Sequence, residues 1–221
     1  MKLIVGLGNY QDVYKNTRHN VGYMILDYIV SHYNQSYEFM DSVKYNDIKE
    51  ASNQYAKERF NNFIPVLGDN TIGYFCNYNG NLYFKPALGM NDSGIPVNLI
   101  KKIFKKLGID NDDILVVVDD MDLQLGDLRL KAVSKTHHNG IKSIMNELKL
   151  DKINLLRIGI GKPNKDIKVL DYVLNDFTDE EKNIIITSIY PIALDYVEKF
   201  ISVGLEKAVN VINNNNKGVN E

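Results

Sequence analysis

The run Ile114-Leu115-Val116-Val117-Val118-Asp119-Asp120-Met121-Asp122 decides the fold class. Its first five residues are apolar without interruption, and four of them are β-branched. A strand with one wet face alternates apolar and polar residues; an unbroken short run marks a strand covered on both faces, as in parallel sheets. The run then stops on three carboxylates within four residues. Acids directly after a buried strand stand where open α/β sheets form ligand sites. A second run of this kind, Asn154–Ile160, is closed by Gly161 and Pro163. Lys2–Leu7 opens the chain as a third strand and halts at Gly8-Asn9.

Helical spacing separates these strands. Val21–His32 places Met24, Ile25, Tyr28 and Ile29 on one face. Ser93–Leu107 turns Ile95, Leu99, Ile100, Ile103 and Phe104 inward, and Gly108 is expected to end it. Thr71–Tyr78 and Leu82–Lys85 read as strands joined by the turn Asn79-Gly80-Asn81. Asp127–Val133 reads as an exposed strand, Asn139–Leu148 as a short helix and Lys168–Leu174 as helix or turn. Asp179–Ile189 starts with acids suited to a helix N-terminus, and Pro191–Ile212 continues the pattern with a break at Gly204.

The fold class expected is α/β: a single domain over residues 1–212, a twisted, mixed and largely parallel sheet flanked by helices, and a helical C-terminus. Residues 35–68 are Asn- and Tyr-rich and read as an enlarged segment with a short helix around Asp47–Phe60. Asn213–Glu221 reads as a disordered tail.

Composition removes several function classes. Of the 221 residues one is cysteine, Cys76, which excludes an internal disulfide framework and a cysteine-built metal site. The longest clean apolar run is Ile114–Val118, too short to span a membrane. The apolar stretch after Lys2 breaks too soon for a signal peptide. The expectation is a soluble cytoplasmic protein.

The net charge of −2 argues against a strongly basic nucleic-acid binder on average. The charge is uneven. Gly126–Lys168 carries ten Lys/Arg against four acids, leaving +6 there and −8 elsewhere. One side of such a molecule can bind a polyanion, although a solvated surface with scattered lysines gives the same count.

Five polar constellations remain, one of them Met90-Asn91-Asp92-Ser93-Gly94, a polar turn capping a helix. Gly6-Leu7-Gly8-Asn9 tempts a dinucleotide reading, but the third small residue of that fingerprint is replaced by Gln11. The glycines are read instead as letting a polar loop turn sharply at the strand's carboxyl end. Thr17-Arg18-His19-Asn20 precedes a helix and offers either a general base or a capping cluster. Asp119-Asp120-Met121-Asp122 can bind magnesium, orient a histidine, or form an acidic turn. His137-His138-Asn139-Gly140 enters a helix, where an oxyanion or phosphate is favoured. A zinc site is disfavoured, because neighbouring histidines point apart and nothing completes a ligand set. With 27 Asn in the chain a single Asn says little, whereas each of the four His says more.

Taken in order, these segments resemble bacterial-type peptidyl-tRNA hydrolase. The resemblance rests on Leu3-Ile4-Val5-Gly6-Leu7-Gly8-Asn9 with Tyr14 and Thr17-Arg18-His19-Asn20-Val21-Gly22. It continues through Lys85-Pro86, Met90-Asn91 and Ser93-Gly94, then Val118-Asp119-Asp120-Met121-Asp122-Leu123 with Gly126. His138-Asn139-Gly140-Ile141-Lys142-Ser143-Ile144 and Leu156-Arg157-Ile158-Gly159-Ile160-Gly161-Lys162-Pro163 complete it.

The resemblance implies hydrolysis of the ester joining a peptide to the 3′ ribose of tRNA, without metal or cofactor, in translation and ribosome rescue. It implies His19 as the general base, Asp119 as its orienting carboxylate, and Asn9 and Asn91 as holders of substrate and attacking water. Asn139 would position water or the peptide main chain, and Tyr14, Met90 and His138 would line the cleft. Arg129, Lys131 and Lys142, with Arg157 further off, would face tRNA phosphates. Peptidyl-tRNA is the partner implied, with no DNA and no membrane, and a monomer is the default state. The alternatives are an acyl-tRNA enzyme with a changed substrate or acceptor, and a tRNA-binding protein without turnover. The chain departs from the family pattern in Tyr10-Gln11 where Pro-Gly is usual. It also has a shorter, glycine-free stretch Ala132–His137, Val118 before Asp119, the enlarged 35–68 region, and lower overall basicity.

Overall fold

A computed structural model of the chain describes residues 1–33, 41–44, 71–104 and 108–217, with backbone alone for 41–44 and 215–217. Seven strands form one sheet: β1 Leu3–Gly6, β2 Asp41–Lys44, β3 Thr71–Tyr78, β4 Asn81–Pro86, β5 Ile114–Asp120, β6 Leu128–Val133 and β7 Ile153–Gly159. Their order across the sheet is β2-β3-β4-β1-β5-β7-β6. The central strands β4, β1, β5 and β7 run parallel, with Val5 level with Phe84 on one side and Val116 on the other. The β2, β3 and β6 additions are antiparallel, so the sheet is mixed with a parallel centre, as expected. Six consecutive residues of β5, Ile114–Asp119, are buried, which is the two-sided covering that the unbroken apolar run demanded.

Helix α1 Val21–Tyr33 and the C-terminal helices cover one face, where Ile4, Leu26, Val117, Leu156, Ile189 and Phe200 meet. Helices α2 Gly94–Ile103 and α3 Asn139–Leu148 cover the other, over Val5, Val116, Leu155, Ile100 and Ile144. After α4 Val169–Leu174, the chain enters α5 Asp179–Ile184 through a capping box between Thr178 and Glu181. A π-helical turn over Ile185–Ile189 then leads into α6 Tyr190–Lys217. No helix among the described residues is long and apolar enough to cross a membrane.

Three expectations change, and the break at Gly204 holds. Gly6 and Gly8 do not turn the chain through a left-handed conformation; neither is among the positive-φ residues. Gly6 instead lets α1 press onto the sheet: a Cβ there would lie 2.5 Å from the Gly22 carbonyl oxygen. Helix α2 ends at Ile103, with Phe104 capping it at φ −93°, ψ 18°, before Gly108 is reached. The break at Gly204 is real, at φ 75° and ψ 173°, but helix resumes beyond it through Lys217. The expected disordered tail is therefore helical over 213–217. Of the enlarged segment, 41–44 pairs with β3 as an edge strand, while the helix expected around Asp47–Phe60 lies outside the described residues.

Candidate active site

The carboxyl ends of β1 and β5 and the amino end of α1 meet at one point. Gly22 brings them together, since a Cβ there would stand 2.4 Å from the Val117 oxygen and 2.6 Å from the Leu7 nitrogen. The chain just before α1 is held from the other side. The guanidinium of buried Arg18 donates to the carbonyls of Asn175 and Asp176 and pairs with Glu181 at 2.6 Å. It also lies over the rings of Tyr172 and Phe177. Residues Arg18–Asn20 form a tight turn between these anchors, and His19 projects from it.

Asp119 ends the buried run and is 6% exposed. Its Oδ1 lies 2.9 Å from His19 Nδ1 and 3.2 Å from His138 Nε2. Burial alone would raise the pKa of this carboxyl. The adjacent imidazoles of His138 and His19, with the hydrogen bonds from each, reverse that and hold it well below the usual carboxylate range. An ionised carboxylate only accepts, so both facing ring nitrogens carry hydrogen. In the neutral ring this tautomer puts the lone pair of His19 on Nε2, the form a general base needs. These three side chains also form a grouping of metal-ligating type, with ligand atoms within 4.8 Å of one another. Both rings address one oxygen at hydrogen-bond distance, which accounts for their closeness without an ion.

Asn9 is tied to the turn that carries His19. Asn20 grips its backbone from both ends, accepting from Asn9 N at 2.8 Å and donating to Asn9 O at 2.9 Å. The Asn9 side-chain oxygen accepts from Met90 N at 3.3 Å. That leaves its amide nitrogen without a partner among the described residues. Asn91 lies in the next turn, exposed, and Asn139 is exposed at the start of α3. Tyr14 is half-buried in the turn before Thr17, whose hydroxyl donates to the Tyr14 carbonyl. Met90 is 7% exposed and sits in the core near Gly140 and Leu7, and its backbone nitrogen is the atom that bonds Asn9.

The cations share one side of the sheet. Arg129 and Lys131 alternate outward on β6 and are exposed; Arg157 is level with Arg129 on β7; Lys142 is exposed on α3, which covers the same face. Arg157 differs from the other three, because its guanidinium is paired with Asp120. A cleft of about 760 Å³ opens beside Asn9 and Asn20, with Tyr10, Gln11, Tyr23 and Tyr190 in its wall. His19, Asp119 and His138 are not part of its lining.

Residues 3–220 match the family model described as peptidyl-tRNA hydrolase. The chain belongs to the peptidyl-tRNA hydrolase family. It is 36% identical to a peptidyl-tRNA hydrolase of Sulfurihydrogenibium sp. (strain YO3AOP1), over 97% of this chain and 98% of that one. It is also 36% identical to one from Mycoplasma capricolum, over 84% and 85%. Among solved structures it resembles peptidyl-tRNA hydrolase from Acinetobacter baumannii, with a TM-score of 0.70 and 26% identity over 95% of this chain and 93% of that one.

Sequence reasoning left three residues that shape this site without a role. Asn20 was quoted in a motif, but the abundance of Asn hid its grip on Asn9. The work of Arg18 depends on Asn175, Asp176 and Glu181, more than 150 positions away, which no local pattern reveals. Thr136, in the glycine-free stretch, accepts from His138 N at 3.1 Å and so fixes the backbone that carries the second histidine.

Proposed function

We propose that the protein hydrolyses the ester between a peptide and the 3′ ribose of tRNA, with His19 as general base. The observation that carries this is the bond from His19 Nδ1 to buried Asp119 at the carboxyl ends of the parallel strands. Family membership supplies the reaction class; the geometry of His19 and Asp119 supports the roles proposed.

Water loses a proton to His19 Nε2 as its oxygen attacks the ester carbonyl. The carbonyl electron pair moves to oxygen, where the amide hydrogens of Asn9 and Asn91 meet the developing charge. Asn139 orients the water or the peptide main chain. Collapse of the tetrahedral centre breaks the bond to the ribose oxygen, which takes the proton back from His19. The products are a peptide carboxylic acid, which ionises by giving its proton to solvent, and tRNA with its terminal hydroxyl restored. Asp119 steadies the imidazolium formed between these steps. A positioned general base contributes ~10²–10⁴ in rate, and an oxyanion donor about a further 10²–10³. Asn suits the second task because it donates without bringing charge. Tyr14 and His138 border the substrate. Reading the amide of the first peptide bond separates peptidyl-tRNA from aminoacyl-tRNA, whose free amine cannot reproduce it.

Arg129, Lys131 and Lys142 meet tRNA phosphates, which give affinity without sequence readout. Arg157 contributes less, being neutralised by Asp120. The protein works as a cytoplasmic monomer without a metal or cofactor. The test is release of peptide from an N-blocked aminoacyl-tRNA by the purified protein and by His19→Ala, each with and without a chelator. Turnover that survives chelation and falls by at least ~10³-fold in the variant, with tRNA affinity within about twofold, is the expected result. An unchanged rate in His19→Ala overturns the assignment of the base.

A further inference from the structure

The Oδ1 atom of Asp119 receives two hydrogen bonds, one from His19 and one from His138. We propose that His138 is a positioning residue that fixes the Asp119 carboxylate and, through it, the tautomer of His19. This rests on His19 being the base and goes beyond the cleft-lining place that family resemblance gives His138.

The argument starts at His138 itself. Its Nε2 faces Asp119, while its Nδ1 is buried without a hydrogen-bond partner. A hydrogen on Nδ1 would have nothing to bond, and burying an unpaired donor is costly. The neutral ring with hydrogen on Nε2 is therefore the form that fits. Its backbone is held on both sides: Thr136 accepts from its nitrogen, and His138 occupies the N-cap position of α3, whose first turn packs at Met90 and Leu7 through Gly140. His138 is thus a rigid donor aimed at one carboxylate oxygen.

That oxygen matters because it is the one His19 uses. The rings stand 4.9 Å apart at 48°, converging on Oδ1 from two sides. A carboxylate held by one donor can rotate about its terminal torsion, which is broad and roughly two-fold. Held by two converging donors, it keeps Oδ1 toward His19. His19 then keeps hydrogen on Nδ1 and its lone pair on Nε2. Of the charged and titratable side chains, His138 and His19 act most strongly on Asp119. The placement of His138 is accordingly the second control on the carboxylate, beside His19 itself.

The test compares His138→Asn with His138→Gln. Asn is a favoured cap for α3, which protects folding, but its amide stops a methylene short of Asp119. Gln places an amide N–H where the imidazole Nε2 stood. Nitrogen-15 NMR of the substrate-free protein reads the His19 tautomer directly, and steady-state kinetics on N-blocked aminoacyl-tRNA reads its consequence. The expected result is a wild type and a His138→Gln variant that hold His19 in the Nδ1–H form, and a His138→Asn variant with both tautomers populated. In the Asn variant kcat falls about tenfold with KM within about twofold, and Gln recovers most of that loss. A His19 wholly in the Nδ1–H form in His138→Asn overturns the proposal. So does a Gln variant that behaves like Asn. The tautomer measurement needs no turnover, so a wild type inactive on this substrate would overturn the proposed function and leave the inference to be decided by the NMR.

Discussion

At the scale of single residues, the site concentrates charge on one atom. Asp119 is buried, ionised and approached by two imidazoles. Its pKa is lower in the folded protein than in the unfolded chain, where an Asp titrates near about 3.9. Such a group stabilises the fold above its unfolded pKa, and that contribution drains away as pH falls toward the folded value. Asp119→Asn removes this proton linkage. The wild type should lose urea resistance between about pH 5 and pH 3 more steeply than Asp119→Asn, measured by midpoints across that range. An equal slope in both would mean that Asp119 is not the linked group. The same variant should lose about 10²–10⁴ in kcat at neutral pH, since a neutral amide neither fixes the tautomer nor supports an imidazolium. Much of this group was legible beforehand. Scarce His and acids after a buried strand are informative, so His19 and Asp119 stood out. Asn20 did not, because one Asn among 27 carries no signal until its contacts are known. The direct bond from His138 to Asp119 was hidden too, since it depends on how a glycine-free loop folds.

At the scale of elements, the site exists because α1 approaches the sheet more closely than side chains normally permit. Gly22 against Val117 and Leu7, and Gly6 against Gly22, make that possible. Gly22→Ala places a methyl group 2.4 Å from a backbone oxygen that belongs to the central parallel strands and has little room to yield. The helix must lift, at a cost of about 1–3 kcal/mol, seen as a drop of several degrees in Tm. His19 rides on the turn before that helix, so kcat should fall with it. Gly89→Ala is the control for stability, because a Cβ there meets nothing within 4 Å; its Tm should match the wild type. A Gly22→Ala protein with unchanged Tm would show that the contact relaxes freely. Sequence patterns found the elements well where one period dominates, as in β5 and α1. They placed ends poorly. Helix α2 stops before Gly108, and α6 continues through Asn-rich residues that propensity alone assigns to a tail.

At the scale of the whole molecule, a chain of net charge −2 offers a polyanion a surface only where its cations are segregated, and the proposed phosphate surface rests on such a segregation. Antiparallel β6 on the edge of the sheet alternates buried Leu130 with exposed Arg129 and Lys131, so the cations of a two-faced strand fall on one side. The +6 segment was visible in the sequence; that Arg129, Lys131 and Arg157 share a face was not, because it depends on the pairing of β6 with β7. Binding through phosphates releases counterions, so log affinity for tRNA should fall linearly with log salt, with a slope set by the number of contacts. Arg129→Ala, Lys131→Ala and Lys142→Ala should each weaken binding and make that slope shallower by about one. Arg157→Ala should change it by much less than one. Its guanidinium is already paired with Asp120, and its removal frees a carboxylate on the same surface. Titration of deacylated tRNA at several salt concentrations separates these cases. Equal slope changes for Arg129→Ala and Arg157→Ala would mean that tRNA breaks the Asp120 pair on docking. An unchanged slope in the other three variants would place the phosphate surface elsewhere.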